Sequence, residues 1–313
     1  RAKLAKSVMD CGEGLPAVWQ KSTQEELDIQ EELIKKFNHT AEDRIQVWFG
    51  IRTIFNATDE LILRSKELAD KYGVGVHMHI AEAKAEVEYA RETRGVTTVT
   101  HLNNLGFLDK NVIAAHAVWL TNEEVEMFRK HQVKVSHNPA SAMRVLGFAK
   151  IPRMLREGVC VALGTDGAPT NNRMNMVDEM WVTSLIHKGW RLEPDAVKEE
   201  EILAMATING ARAVGDEGIC GSLEAGKKAD LIIIDPDCSV DMLPIHDPIA
   251  NLVTSMHSTN IESTMCDGKW LMKDRKLLTI DEEEIIREGK EHAREICRRG
   301  GIKLPERFPV KRR

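Results

Sequence analysis

The chain has 313 residues, a formal net charge of −6, 42% hydrophobic residues and 29% charged residues. This length and composition predict one large or two modest globular domains with a substantial core, and they exclude a disordered chain. The acidic balance lacks the basic footprint that binding to a phosphate backbone requires, so we expect no nucleic-acid partner.

Cysteine spacing and apolar runs bear on the cellular compartment. Six cysteines are scattered without a Cys-x-x-Cys pair, which argues against a metal knuckle or a disulfide framework and favours a reducing compartment. No run reaches the roughly 18 to 20 apolar residues of a membrane span, and the first residues show no export pattern. We therefore predict a cytoplasmic protein without a membrane partner. The sequence leaves a homo-oligomer open.

From residue 44 onwards, short apolar runs alternate with amphipathic helical segments. Capping signals start helices at Ser22 or Thr23, at Thr58 and at Thr121. Gly73 closes the second of these helices, where a left-handed residue is expected. The runs rich in β-branched or aromatic side chains are predicted as strands at 44–51, 74–80, 112–120, 133–137 and 159–164.

Helices between strands that are buried on both faces indicate parallel βα units, arranged as an open sheet or a closed barrel. Polar residues at the carboxyl ends of four successive strands favour the barrel, because barrel loops build active sites at that face. An open sheet binds ligands mainly near one crevice. The residues concerned are His79 with Glu82, His116, His137 and Asp166.

The character of the sequence changes after residue 214. Residues 219–235 are predicted to form a turn, a hairpin and a strand, and a second hairpin is predicted around Asp267-Gly268. The segment Asp281 to Arg298 has isoleucines at helical spacing and is predicted as a surface helix. We expect a barrel part at 1–215, part of a small β domain at 216–280, and a C-terminal helix and tail at 281–313.

The stretch around His77, His79 and Glu82 places polar side chains where a buried strand normally has hydrocarbon. The two histidines face the same way, because side chains in a strand alternate with a period of two. Neutral imidazoles bind divalent metal ions, and a nearby carboxylate can shuttle protons. Satisfied core histidines are the alternative reading of this pair taken alone.

His116 and Asp166 strengthen the functional interpretation. His116 follows an apolar strand, and Asp166 directly follows a buried one, where a carboxylate is costly unless it is paired, hydrogen-bonded or metal-bound. Each alone could be a helix cap or a buried hydrogen-bond partner. Together, four polar groups at consecutive strand ends predict a single functional site.

Other patterns are weaker. Gly221 to Lys228 has the glycine and lysine spacing of a phosphate loop, but a strand follows where a helix should begin, so we predict a turn. Met176, Met180 and Trp181 recur at helical spacing and are predicted to pack in the core. The chain contains neither a Gly-x-Ser-x-Gly elbow nor the Pro-Cys-x-x-Cys pattern of zinc cytidine deaminases.

These motifs, in this order, resemble the amidohydrolase superfamily. The resemblance is to the branch with methylthioadenosine/S-adenosylhomocysteine deaminases, guanine deaminases and triazine hydrolases. It implies a (β/α)8 metal-dependent hydrolase barrel with a small β-sandwich formed by both ends of the chain. The matching segments are 79–82, 114–116, 136–141, 164–172 and 221–230.

The resemblance also implies roles for single residues. His79 and Asp166 would be ligands of one divalent metal ion, zinc in first place and iron in second. Glu82 would be the proton shuttle and Asp166 also the base, while His116 would polarise the attacking water. Arg52 and His137, at strand ends, are predicted substrate contacts, with a surface salt bridge as the alternative for Arg52.

The chain departs from the family pattern at its start. The first-strand His-x-His of the family supplies two metal ligands and should precede Arg1, whereas His77-Met-His79 lies on the fifth-strand segment. Residues 1–9 resemble the third barrel strand. We therefore expect a barrel that lacks its first two strands and half of the β-sandwich. It would be a fragment of a longer enzyme or a member without its metal site.

For the intact enzyme, the resemblance implies deamination of an aminated heterocycle, namely an adenine-type purine or its nucleoside, by a metal-bound hydroxide. The partner is then a small heterocyclic substrate. A triazine-type hydrolase that releases chloride or ammonia is one alternative. A catalytically inactive barrel fragment without the His-x-His ligands is the other.

Overall fold

The computed structural model describes residues 1–303, and its largest element is a parallel sheet of six strands. Each strand pairs with its neighbour along the chain, so the strand order runs from β1 to β6 without reversal. That order is typical of a barrel wall, because an open doubly wound sheet reverses at a switch point. The strands are β1 Ala2–Val8, β2 Ile45–Ile51, β3 Val76–Ile80, β4 Val112–His116, β5 Lys134–His137 and β6 Val161–Leu163.

The central strands are buried because helices cover the sheet. Every residue of β4 is buried, and Phe49, Ile51, Met78 and Ile80 are at most 1% exposed. Continuous burial of this kind is typical of parallel strands. The prediction of parallel βα units is therefore confirmed.

Helices connect the strands and carry the predicted caps. The side chains of Ser22 and Thr121 each accept a hydrogen bond from the backbone N–H of the third residue of the following helix, and the Thr58 side chain accepts one from the backbone N–H of Leu61. Gly73 closes its helix with φ of 67°, in the left-handed region. The helices are α1 Thr23–Phe37, α2 Thr40–Asp43, α3 Asp59–Tyr72, α4 Lys84–Arg94, α5 Thr98–Asn104, α6 Asn122–His131, α7 Pro139–Val145, α8 Ile151–Arg156, α9 Ala168–Asn171, α10 Met176–Arg191, α11 Glu199–Ala206, α12 Ile208–Ala213, α13 Pro248–Thr254 and α14 Glu282–Arg299.

A second, antiparallel sheet follows, with the strand order β10-β9-β8-β7. The hairpin predicted around Asp267-Gly268 joins β8 to β9 and is confirmed. The hairpin predicted within 219–235 is wrong, because that segment holds turns and the single strand β7. The domain boundary at residue 215 stays a prediction. The strands are β7 Leu231–Ile234, β8 Ile261–Cys266, β9 Lys269–Lys273 and β10 Lys276–Leu277.

Ion pairs connect β1 to the segments around the second sheet. Arg1 Nε lies 2.7 Å from Asp230 Oδ2, and Lys3 Nζ lies 2.8 Å from Asp216 Oδ1. The side chains of both pairs are largely shielded from solvent, which limits screening by salt.

Two local predictions differ from the structure. The strand predicted at 112–120 ends at His116, because His116 and Ala117 adopt φ of 73° and 50°, which a strand cannot continue. Met180 is buried as predicted, but Trp181 is 47% exposed, so the core prediction is wrong for that residue. Within residues 1–303, no helix combines the length and apolar character that crossing a membrane requires.

Candidate active site

The predicted site residues meet at the carboxyl edge of the parallel sheet. The rings of His79 on β3 and His116 on β4 stack with 5.4 Å between centroids and 24° between planes. Glu82 Oε1 lies 3.7 Å from His116 Nε2. Asp166, in the loop after β6, accepts a hydrogen bond at 2.6 Å from Ser141, which follows β5, and its negative charge acts to raise the pKa of the same imidazole. The geometry therefore brings together the four residues on which the functional prediction depends.

Local backbone geometry turns these side chains towards one another. Ala81, His116 and Asp166 have φ of 51°, 73° and 62°. Such left-handed conformations at residues other than glycine cost about 1–3 kcal/mol each and concentrate at functional sites. Ala81 and His116 adopt this conformation where β3 and β4 end, and Asp166 adopts it in the loop after β6.

His116 is held as a neutral donor. Ser136 Oγ donates to Asn138 Oδ1 at 3.1 Å, which turns the Asn138 amide nitrogen towards His116 Nδ1 at 3.4 Å. This arrangement assigns the imidazole proton to Nε2, on the side of Glu82. Burial lowers the pKa of His116, and the Glu82 carboxylate opposes that shift. His116 is therefore neutral at pH 7.

His79 is oriented by the preceding strand. Its Nδ1 donates to the Arg52 carbonyl oxygen at 2.7 Å. A backbone acceptor on one ring nitrogen fixes the tautomer and leaves the lone pair of Nε2 free, as in histidines that bind metal ions. Neighbouring His77 meets His79 edge to face at 5.6 Å, and burial lowers the pKa of His77 to about 4.

Asp166 is prepared as an anion. Ser141 Oγ donates to its Oδ2 at 2.6 Å, and the Gly167 backbone N–H donates to its Oδ1 at 2.6 Å. Burial opposes ionisation, but these hydrogen bonds outweigh it and hold the pKa of the Asp166 carboxyl below its usual value. Each oxygen keeps a further lone pair for a proton or a cation.

The donor set fits part of a catalytic metal site. His79 Nε2 and the Asp166 carboxylate have the right chemistry for a divalent ion such as zinc. A catalytic zinc site needs three protein ligands, and residues 1–303 contain no group of three or more His, Cys, Asp or Glu that could hold a metal ion. The described chain thus accounts for two ligands and not for a complete set.

The two predicted substrate contacts lie in different environments. The Arg52 side chain is exposed, and no carboxylate of residues 1–303 lies within ion-pair distance of it, so the alternative of a surface salt bridge finds no support. His137 is 2% exposed, and its Nε2 lies 3.1 Å from His187 Nε2. Burial lowers the pKa of His137 well below its usual value. Substrate contact stays a prediction for both residues.

Sequence reasoning missed the residues that support the site. Glu179 on α10 is buried, and its Oε1 accepts from Asn171 Nδ2 at 2.6 Å, while the same amide donates to the Thr165 carbonyl at 2.7 Å. This chain of contacts fixes the loop that carries Asp166. Asn138 and Ser141 lie in the matching segment 136–141, but Asn138 contacts His116 of β4 and Ser141 contacts Asp166 in the loop after β6, which the segment alone does not reveal.

Comparisons with known proteins identify the family of this chain. The chain matches the model of the Amidohydrolase family over residues 2–271. It is 37% identical over 298 residues to the 5'-deoxyadenosine deaminase of Methanobrevibacter smithii, which covers 95% of this chain and 67% of that protein. It is 40% identical over 243 residues to the 5-methylthioadenosine/S-adenosylhomocysteine deaminase of Aquifex aeolicus, which covers 77% of this chain and 56% of that protein.

Solved structures share the fold. A zinc-bound adenosine deaminase from Xanthomonas campestris superimposes with a TM-score of 0.89 at 26% identity, covering 95% of this chain and 66% of that one. The zinc complex of atrazine chlorohydrolase from Arthrobacter aurescens gives a TM-score of 0.86 at 25% identity, covering 92% of this chain and 64% of that one.

The chain thus spans between 56% and 67% of the length of these four proteins. The family match, in contrast, covers most of the chain itself, and it confirms the resemblance and the fold class predicted from the motifs. The chain belongs to the amidohydrolase family.

Proposed function

We propose that this chain carries catalytic residues of a metal-dependent aminohydrolase that deaminates an adenine-type nucleoside. The convergence of His79, Glu82, His116 and Asp166 at one edge of the sheet is the observation that carries the proposal. Two curated relatives are named as deaminases of 5'-deoxyadenosine and of methylthioadenosine or S-adenosylhomocysteine. They favour an adenosine derivative as substrate.

A divalent ion, zinc before iron, would supply an acidified water when bound. His79 and Asp166 are the residues of this chain that would hold it, together with at least one ligand from outside residues 1–303.

The remaining chemistry falls to side chains of this chain. Glu82 is partly exposed beside His116 and would carry one proton of the attacking water to the ring nitrogen next to the amine-bearing carbon. Asp166 is ionised and would accept the other proton of that water and pass it to the leaving amine. Neutral His116 would donate its Nε2 proton in a hydrogen bond to the oxygen that becomes bonded to the ring. Water adds, ammonia leaves, and the base becomes its oxo form.

Arg52 and His137 would contact the substrate in this scheme. The exposed guanidinium of Arg52 acts on His116 through space, so it lies near the reacting groups. It suits the hydroxyl or carboxylate oxygens of a nucleoside derivative, because guanidinium donates several hydrogen bonds in a fixed fork.

The assay that tests the proposal measures ammonia release from adenosine, 5'-deoxyadenosine, 5'-methylthioadenosine and S-adenosylhomocysteine by the zinc-loaded protein. Glu82→Gln should lower kcat by about 100-fold or more, because it removes the proton donor. Glu88→Gln, on the exposed side of α4, is the matched control and should keep full activity. Absence of ammonia release from all four nucleosides by protein that is shown to retain zinc would refute the substrate class.

Two other functions rest on specific observations. A triazine-type hydrolase is favoured by the similarity to atrazine chlorohydrolase, and chloride release from a chlorotriazine would identify it. A non-catalytic role is favoured by the incomplete set of metal ligands in residues 1–303. Metal analysis distinguishes the non-catalytic role from the proposed function, because a protein that retains neither zinc nor iron after purification cannot catalyse the proposed reaction.

A further inference from the structure

One buried carboxylate beside the site takes no part in the chemistry above. Glu86 is the third residue of α4 and is 1% exposed. Its Oε1 accepts the backbone N–H of Ala81 at 2.8 Å, and its Oε2 accepts the backbone N–H of Glu82 at 2.8 Å. Both oxygens therefore engage the residue proposed as proton shuttle and its predecessor.

The turn that Glu86 holds is strained. Ala81 has φ of 51°, and successive N–H groups in a turn that visits the left-handed region point to one side and form a concave anion site. In a capping box, the third-position glutamate returns to the N-cap N–H. The N-cap of α4 is Ala83, which has no capping side chain, and Glu86 reaches past it to the two preceding residues.

The same turn is fixed on its other side to the end of β4. The Ile80 carbonyl accepts from Ala117 N at 3.1 Å. The Ala81 carbonyl accepts from Val118 N at 3.0 Å and from Trp119 N at 2.9 Å. The N–H groups of Ala81 and Glu82 thus bind Glu86, and the carbonyl groups of Ile80 and Ala81 bind the residues that follow His116. Both sets of hydrogen bonds together fix the backbone position of Glu82.

We propose that Glu86 is a positioning residue that holds the backbone at Ala81 and Glu82 and thereby keeps the Glu82 carboxylate beside His116. The inference rests on the proposed function in so far as Glu82 moves the proton. Glu86 acts through the backbone and itself contacts neither the substrate nor the metal ion. Burial raises the pKa of Glu86 to about 7, and the charge of Glu82 adds to the rise.

The test is Glu86→Gln. The glutamine oxygen can accept only one of the two N–H groups, and its amide N–H2 opposes the other. We expect kcat for ammonia release to fall at least 10-fold with KM changed less than twofold, because binding contacts are kept while the proton donor is displaced. We also expect the amides of Ala81 and Glu82 to exchange with deuterium at least 10-fold faster, measured by NMR without added metal.

Glu124→Gln is the matched control. Glu124 on α6 is 2% exposed, and its Oε2 likewise accepts a backbone N–H, that of Thr121 at 2.7 Å, but it contacts none of the site residues. This variant should lose stability while kcat and the exchange of Ala81 and Glu82 stay as in the wild type.

The outcomes separate the two ideas. Unchanged exchange in Glu86→Gln, or faster exchange with unchanged kcat, would overturn the positioning role. A wild-type protein that retains zinc but has no deaminase activity would refute the proposed function, while the exchange data would still decide whether Glu86 holds the turn. If Glu86→Gln does not fold, a pH titration of the wild type decides instead. The amide protons of Ala81 and Glu82 should then shift with the same midpoint as the Glu86 carboxyl carbon, and independent midpoints would contradict the contact.

Discussion

At the scale of single residues, the candidate site consists of polar side chains at the ends of successive parallel strands. His79, His116 and Asp166 were identified because parallel strands end at one edge of a sheet, so polar side chains at successive ends must meet. Glu86 could not be found in this way, because a glutamate in a highly charged amphipathic helix is normally a solvated surface residue. Its one local signal is its third position in a helix whose N-cap, Ala83, has no capping side chain.

Gly164 offers a stability test at this scale. A Cβ at this position would lie 2.4 Å from Asn138 Oδ1 and 2.6 Å from Ser136 Oγ, the two atoms that orient His116. Gly164→Ala should therefore lower the free energy of unfolding by about 1–3 kcal/mol through overpacking. Urea denaturation at pH 7 measures the change.

Gly167 in the same loop is the control. A Cβ there meets only Pro169 Cδ at 3.5 Å, an ordinary contact, and φ of −75° suits alanine. Gly167→Ala should stay within about 0.5 kcal/mol of the wild type. Equal effects of the two substitutions would contradict the close packing behind His116.

At the scale of helices and strands, the predictions that succeeded depend on local chemistry. The caps at Ser22, Thr58 and Thr121 were predictable, because each bonds within its own first turn. The end of β4 was not, since the left-handed backbone at His116 follows from contacts between strands. Helical spacing showed that α10 has an apolar stripe but not which residues the fold would cover, so Trp181 was misplaced.

The cap of α6 gives a prediction for one element. The Thr121 hydroxyl accepts a hydrogen bond from Glu124 N–H, and the Glu124 carboxylate accepts one from Thr121 N–H. Thr121→Ala should lower the free energy of unfolding by about 1 kcal/mol, whereas Thr121→Ser keeps the hydroxyl and should remain near the wild type. Thermal unfolding followed by circular dichroism compares the two, and a serine variant as unstable as alanine would argue against the cap.

At the scale of the whole molecule, the alternation of strands and helices was enough to predict a parallel βα sheet, and the family match agrees with it. The second sheet was harder to predict, because strand pairing over long separations leaves little trace in local sequence. Only the hairpin at Asp267-Gly268, with its turn signal, could be assigned in advance.

Buried titratable groups make the stability of the whole molecule depend on pH. Burial lowers the pKa of His187 from 6.5 to about 4, so its contribution to stability is complete above pH 6.5 and lost as the pH falls through 4. Burial raises the pKa of Glu86 from 4.5 to about 7, so its contribution is complete below pH 4.5 and lost as the pH rises through 7. The free energy of unfolding therefore decreases towards acidic pH because of His187 and decreases towards pH 7 and above because of Glu86.

His187→Gln should flatten the loss of unfolding free energy between pH 6.5 and 4, an effect of at most about 3 kcal/mol. His137 shifts in the same direction and keeps part of the slope. His292→Gln, on the exposed surface of α14, should leave the profile unchanged. Urea unfolding at closely spaced pH values makes the comparison, and a His187→Gln profile that parallels the wild type would contradict the assignment.

The ion pairs of β1 also bear on how the polypeptide assembles. Pairing in the parallel sheet joins strands that are neighbours along the chain, so each step closes one loop of moderate length. The bonds from Arg1 to Asp230 and from Lys3 to Asp216 span 229 and 213 residues. Loop-closure entropy delays contacts over such long separations, and we expect these ion pairs to form last. Opposite charges would then join β1 to the segments before the second sheet in a late step of folding.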